Sequence, residues 1–142
     1  LQADYFRYVA EVGSTEDRVE KAKTRAMNSY TTAIKLADQL SPADPIRLSL
    51  YLNYSVYYYE IFGGKRPKEE GKQGKKEMRE HRETAMKIAR SGLDDAEHDL
   101  ENLDRQKMAE AQFIIQFLQQ NLQSWMSKNK KVSSSKRNLF SQ

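Results

Sequence analysis

Apolar residues recur at steps of three and four along most of this chain. Between residues 16 and 40, Val19, Ala22, Ala26, Tyr30, Ala33, Ala37 and Leu40 fall on one stripe, which marks a long amphipathic helix with a single buried face. Ser14 or Thr15 offers a side-chain oxygen to the unpaired amides of its first turn. Pro42 and Pro45 end it, because proline removes a donor and turns its predecessor away from helix. Pro45 also suits the first turn of a second helix, which reaches about Ile61. That stretch is rich in tyrosine and valine and would read as a strand on propensity alone. Ser49, Asn53, Val56 and Glu60 decide for helix: they share one face at steps of four, three and four. The rest is apolar nearly all round, as in a helix buried among others.

Gly63, Gly64 and Pro67 stop the second helix. Residues 67–81 are so polar that they cannot offset the entropy of their own ordering, which predicts a mobile loop turning helical towards Met78. A third helix is expected by Glu83, with Met86, Ile88, Ala89, Leu93, Ala96 and Leu100 apolar. Gly92 within it costs about 1 kcal/mol relative to alanine. A last helix is predicted from about Asp104 to Ser127 with two adjacent stripes. One is Met108, Ala111, Ile115, Leu118, Leu122 and Trp125; the other is Ile114, Phe117, Asn121 and Ser124. The segment 128–142 is Lys/Ser-rich and reads as a disordered tail. No strand series or repeat of fixed period is visible, so the fold class expected is all-α, an antiparallel helical array with short links.

Of the 142 residues, none is cysteine, which excludes disulfides, thiolate metal sites and a cysteine nucleophile. No apolar run approaches the roughly 18 residues of a membrane span, and no signal peptide is visible at the start. A cytoplasmic protein without membrane contact is expected. The chain opens at Leu1 inside what reads as a helix, so it is taken as a piece of a longer one. The net charge of +4 is unevenly held. Residues 127–142 carry five bases and no acid, and residues 61–90 carry ten bases and five acids, leaving the rest at −6. The excess of base lies in a tail and an insertion, not on the body, which argues against a nucleic-acid-binding surface.

Catalytic patterns are missing. His81 and His98 stand outside any ligand spacing and read as surface residues. The glycines before lysines lack the phosphate-loop spacing, and GxGxxG is absent. The acidic pairs Asp94/Asp95 and Glu69/Glu70 lie in polar runs with no apolar pocket to shift them. The sequence points to no enzyme, no metal and no cofactor.

The informative residues are polar groups set in apolar helix faces: Arg7 with Tyr8, then Asn53, Glu60 and Asn121. Taken singly, each has an ordinary reading, Arg7 as an internal ion pair and the asparagines as satisfied core amides. Taken together they resemble one family. Residues 4–12 (DYFRYVAEV), 45–61 (PIRLSLYLNYSVYYYEI) and 116–125 (QFLQQNLQSW) closely resemble 14-3-3 proteins, in the family's order. The second string is highly specific, and the 40 positions between Asp4 and Pro45 need no gap. Residues 1–127 would correspond to the last five of that family's nine helices, interrupted by an insertion of roughly 17 residues within 63–82.

The resemblance implies a phosphoserine/phosphothreonine-binding adaptor that clamps extended segments of phosphorylated client proteins in a concave groove. Arg7 and Tyr8 would hold the phosphate, a guanidinium being able to bond phosphate oxygens bidentately. Asn53 and Asn121 would grip the peptide backbone, each amide offering donor and acceptor. Glu60 and Trp125 would touch the peptide before the phosphate, and Leu52, Val56, Ile114 and Phe117 would line the apolar wall. The family completes its phosphate pocket with two further basic residues, and dimerises, through earlier helices that this chain does not include. A homo- or heterodimer is therefore expected only of a longer parent.

The chain departs from the family pattern at Ser124 and Phe117, where the family has leucine, and at Gln119 and Gln120, where it has a charged pair. The basic tail departs furthest. Lys130 and Lys131 stand three before Ser133 and Ser134, a spacing suited to basophilic kinases, so Ser133, Ser134 and Ser135 are candidate phosphorylation sites. A phosphorylated tail could enter the protein's own groove, since tethering gives millimolar effective concentrations; a plain basic tail is the simpler expectation. The alternatives from other classes are a helical-repeat scaffold for unmodified peptides, which would not need Arg7, and a nucleic-acid binder relying on loop and tail lysines, with steep salt dependence.

Overall fold

The computed structural model describes residues 16–64 and 71–140, with side chains up to Asn129. The first motif, with Arg7, Tyr8 and the Ser14/Thr15 cap, lies outside the described residues. Four α-helices follow in order: α1 (Glu16–Ala37), α2 (Pro45–Tyr57), α3 (Lys72–Glu97) and α4 (Arg105–Phe140). A π-helical turn, Tyr58–Phe62, extends α2, and a 3₁₀ turn, Leu100–Asn102, precedes α4. The described residues are all-α, as the periodicity predicts.

Local chemistry explains most boundaries. Glu16 and Asp17 stand in the first turn of α1 and Lys35 in its last, each sign matched to the helix dipole. Asp44 caps α2 by accepting from the Ile46 amide at 2.9 Å, with Pro45 just inside. Asp104 caps α4 in the same way, accepting from the Lys107 amide at 2.8 Å.

Three expectations are corrected. First, α3 begins at Lys72, within the stretch read as a loop to about residue 81. Its polar start is laced by i,i+4 pairs, Gln73 to Glu77 at 3.0 Å and Lys76 to Glu80 at 4.0 Å. It is anchored where His81 packs on the rings of Tyr58 and Phe62, 5.8 and 5.6 Å between centroids. Second, His81 is therefore half-buried, whereas His98 is exposed as expected. Third, the backbone of α4 continues to Phe140, through the segment read as a tail, with neither proline nor glycine after residue 104 to end it.

Helix α2 is the centre of the array. It packs against α1 on one side and against α3 and α4 on the other. The larger apolar cluster unites Leu48 of α2 and Tyr59 of the π turn with Ala85, Ala89 and Leu93 of α3 and Ile115, Leu118, Leu122 and Trp125 of α4. The smaller unites Ala26 and Tyr30 of α1 with Tyr57 of α2. There Tyr30 stacks on Tyr54 at 5.5 Å and tilts against Tyr57 at 5.4 Å. The Tyr57 hydroxyl donates to the Lys23 carbonyl at 2.7 Å, and burial, with Tyr54 and Glu20 nearby, pushes its pKa far above the usual tyrosine value.

Gly92 is explained by contact rather than propensity. A Cβ there would sit 2.8 Å from Cβ of Tyr51 and 2.9 Å from its Cγ, so glycine lets α3 approach α2 closely. At the far end of α2, a Cβ on Gly63 would meet the Tyr59 carbonyl at 2.6 Å. The Gly63 amide closes the π turn on the Tyr58 carbonyl at 3.2 Å.

Candidate binding groove

Because α1 and α4 both lean on α2 with little packing between them, a cavity of about 1220 Å³ opens over one face of α2. Pro45, Ile46, Ser49, Leu50 and Asn53 form its floor. Asn28, Tyr30, Ala33 and Leu36 belong to the α1 wall, and Ala109, Glu110, Phe113 and Ile114 make the α4 wall. Three large apolar side chains stand open to solvent around it: Leu36 is 69% exposed, Ile46 65% and Phe113 62%. Among the described lining residues only Glu110 carries a formal charge. An apolar trough with a few carboxamides and hydroxyls suits a peptide segment, whose backbone needs partners while its side chains need apolar surface.

Asn53 and Ile114 both line this cavity. Phe117, 45% exposed, joins the wall through an edge-to-face contact with Phe113, 5.1 Å between centroids. Asn121 follows one turn later on α4, half-buried. Neither carboxamide is hydrogen-bonded to another described side chain or backbone group, and neither is among the fully buried unpartnered groups. Leu52 and Val56 are half-buried and pack against the larger apolar cluster instead of lining the cavity. Glu60 is exposed, on the π turn.

Trp125, expected to touch a peptide, is 7% exposed. Its ring lies 4.4 Å from that of Tyr59 and nearly parallel to it, at 9°. The Arg82 guanidinium also sits on Tyr59, 5.2 Å from the ring centroid, and Arg82 Nε donates to the Gly63 carbonyl at 2.9 Å. Trp125 thus ties α4 to the π turn that bears Glu60. Leu36, Ile46, Glu110 and Phe113 escape the sequence reading. Leu36 lies off the buried stripe of α1, and Phe113 stands four before Phe117; each is a legible sign of a second apolar face.

The described residues thus form an array of α-helices whose central member floors an open, carboxamide-bearing trough. A family model described as 14-3-3 protein matches residues 1–68. Similar curated proteins include a 14-3-3 protein of Giardia intestinalis, 36% identical over 127 residues, covering 89% of this chain and 44% of that protein. The 14-3-3-like protein GF14 epsilon of Arabidopsis thaliana is 33% identical over 128 residues, 89% of this chain and 43% of its own length. The 14-3-3 protein beta/alpha of Mus musculus is 31% identical over 130 residues, 91% and 46% respectively. The chain belongs to the 14-3-3 family. It spans less than half the length of these three relatives.

Proposed function

We propose that this chain is the greater part of a phosphopeptide-binding groove in a non-catalytic adaptor, and that the trough over α2 receives the client segment. The observation that carries the reading is the pair of half-buried carboxamides, Asn53 and Asn121, without partners among the described residues and beside an exposed apolar wall. Such groups stay unpaired at little cost only where water or a ligand can reach them. Arg7 and Tyr8 hold the phosphate, the guanidinium through charge-assisted bonds. Asn53 and Asn121 bond the client backbone, and Ile114, Phe117 and Phe113 shelter its apolar side chains. Glu60 contacts the client before the phosphorylated residue, while Trp125 and Arg82 fix the turn on which Glu60 stands. Rigid helices hold these groups ready, so chiefly the client becomes ordered on binding. The longer parent binds as a homo- or heterodimer and supplies the remaining basic groups of the phosphate site.

The test is titration of the full-length protein with a labelled phosphoserine peptide and its unphosphorylated twin. The phosphorylated form is expected to bind at least tenfold more tightly, and Arg7→Ala should weaken that form alone. Equal affinity for the twins would overturn the reading in favour of a scaffold for unmodified segments.

A further inference from the structure

The turn between α1 and α2 carries a Ser-Pro pair that peptide binding leaves unused. Ser41 is half-buried; its hydroxyl donates to the Asp99 carboxylate and accepts from the Ala43 amide at 3.1 Å. Asp99 also accepts from Asn102 Nδ2 at 2.6 Å. The two hydrogen bonds hold the Asp99 pKa below the ordinary carboxylate range. The turn joining α1 to α2 is thereby latched to the turn joining α3 to α4. Both turns secure the same end of the trough: Leu36 and Ile46 flank the first, and Ala109 and Glu110 follow the second.

We propose that Ser41 is a phosphorylation site for a proline-directed protein kinase, and that its modification opens this latch. The acceptor is followed directly by Pro42, the minimal feature such kinases read, and preceded by three exposed residues, Asp38, Gln39 and Leu40. Ala43 and Asp44 anchor the far side of the turn in the core, whereas residues 38–40 are exposed, so the kinase engages the stretch before Pro42 as it opens locally. In the reaction Ser41 Oγ attacks the γ-phosphorus of kinase-bound ATP. The new O–P bond forms as the bond to the β,γ-bridging oxygen breaks, ADP leaves, and the hydroxyl proton passes to the kinase.

The product has lost the proton that bonded Asp99 and sets a group of about −1.5 to −2 charge against that carboxylate. Arg47 offers the competing partner. It already bonds the carbonyl of Leu40, the residue before Ser41, at 3.1 Å, and pairs with Asp38 at 3.3 Å. Phosphorylation therefore trades a contact between the two turns for one between the first turn and α2, leaves the Lys107–Asp44 ion pair at 3.6 Å in place, and loosens α4 at that end of the trough.

The experiment treats the full-length protein with ATP and, separately, a mitogen-activated and a cyclin-dependent kinase, and locates phosphate by mass spectrometry. Modification of Ser41 is expected with at least one kinase and absent in Ser41→Ala. Amide hydrogen exchange in residues 38–44 and 98–104 should then quicken at least tenfold. In Asp99→Asn, which removes the like charge, the increase should be much smaller. No phosphate on Ser41 with either kinase, or a fully modified Ser41 with unchanged exchange, would overturn the proposal. Neither readout depends on client binding, so the latch and the groove can fail separately.

Discussion

Two faces of α4 are about equally apolar and behave differently. Ala111, Ile115, Leu118, Leu122 and Trp125 are buried against α2, α3 and the π turn. Phe113, Ile114, Phe117 and Asn121, on the adjacent side of the same helix, are half-buried or exposed beside the trough. The buried face meets Ala85, Ala89 and Ala96, small residues that let α3 come close. The open face is turned across α2 towards α1, which stands too far off to cover it. Apolar periodicity alone does not distinguish a core face from a groove face. What separates them is the polar group set into the row: Asn121 interrupts one face, and nothing polar interrupts the other.

Mutations can sharpen this contrast, beginning with the greatest effect. Leu118→Ala removes a wholly buried side chain and should destabilise by about 2–5 kcal/mol, seen as a lower urea midpoint. Gly92→Ala pushes a methyl group into Tyr51 and should cost about 1–3 kcal/mol, against the usual gain from replacing a helical glycine. Unchanged thermal stability in that variant would show that α3 can move away from α2.

Tyr57→Phe should cost about 1 kcal/mol by removing the bond to the Lys23 carbonyl. It also carries a pH signature. The folded Tyr57 pKa is raised, so its contribution is complete below the ordinary tyrosine pKa and is lost as pH climbs above 10, where the unfolded chain ionises first. Alkaline melting curves of the wild type should fall more steeply than those of Tyr57→Phe. At the bottom of the series, Phe117→Ala should shift stability by no more than about 0.5 kcal/mol while weakening client binding. A loss as large as that of Leu118→Ala would show that the open face is core after all.

Much of this fold is legible along the chain because the signals are local. Pro45 at the start of α2 and Asp104 at the start of α4 each act within one turn. The start of α3 is hidden because its anchor is distant in sequence: His81 rests on Tyr58 and Phe62, and a polar segment gains an ordered place only through such a neighbour. Gly92 reads as a liability for the same reason, its partner Tyr51 lying on another helix. Beside the trough, Asn53 falls within a family motif and Ile114 is reached only through the wider resemblance, whereas Leu36 is marked by neither. Its position opposite Phe113 exists only once α2 has spaced α1 from α4.

Tyr57 and Tyr59 stand two residues apart and belong to different clusters, one shared with α1, the other with α3 and α4. A single stretch of backbone is thus a party wall between two rooms, and neither room can be emptied without stripping a side of that wall. The two halves of the array should therefore melt together, with amides around residue 57 the last to exchange.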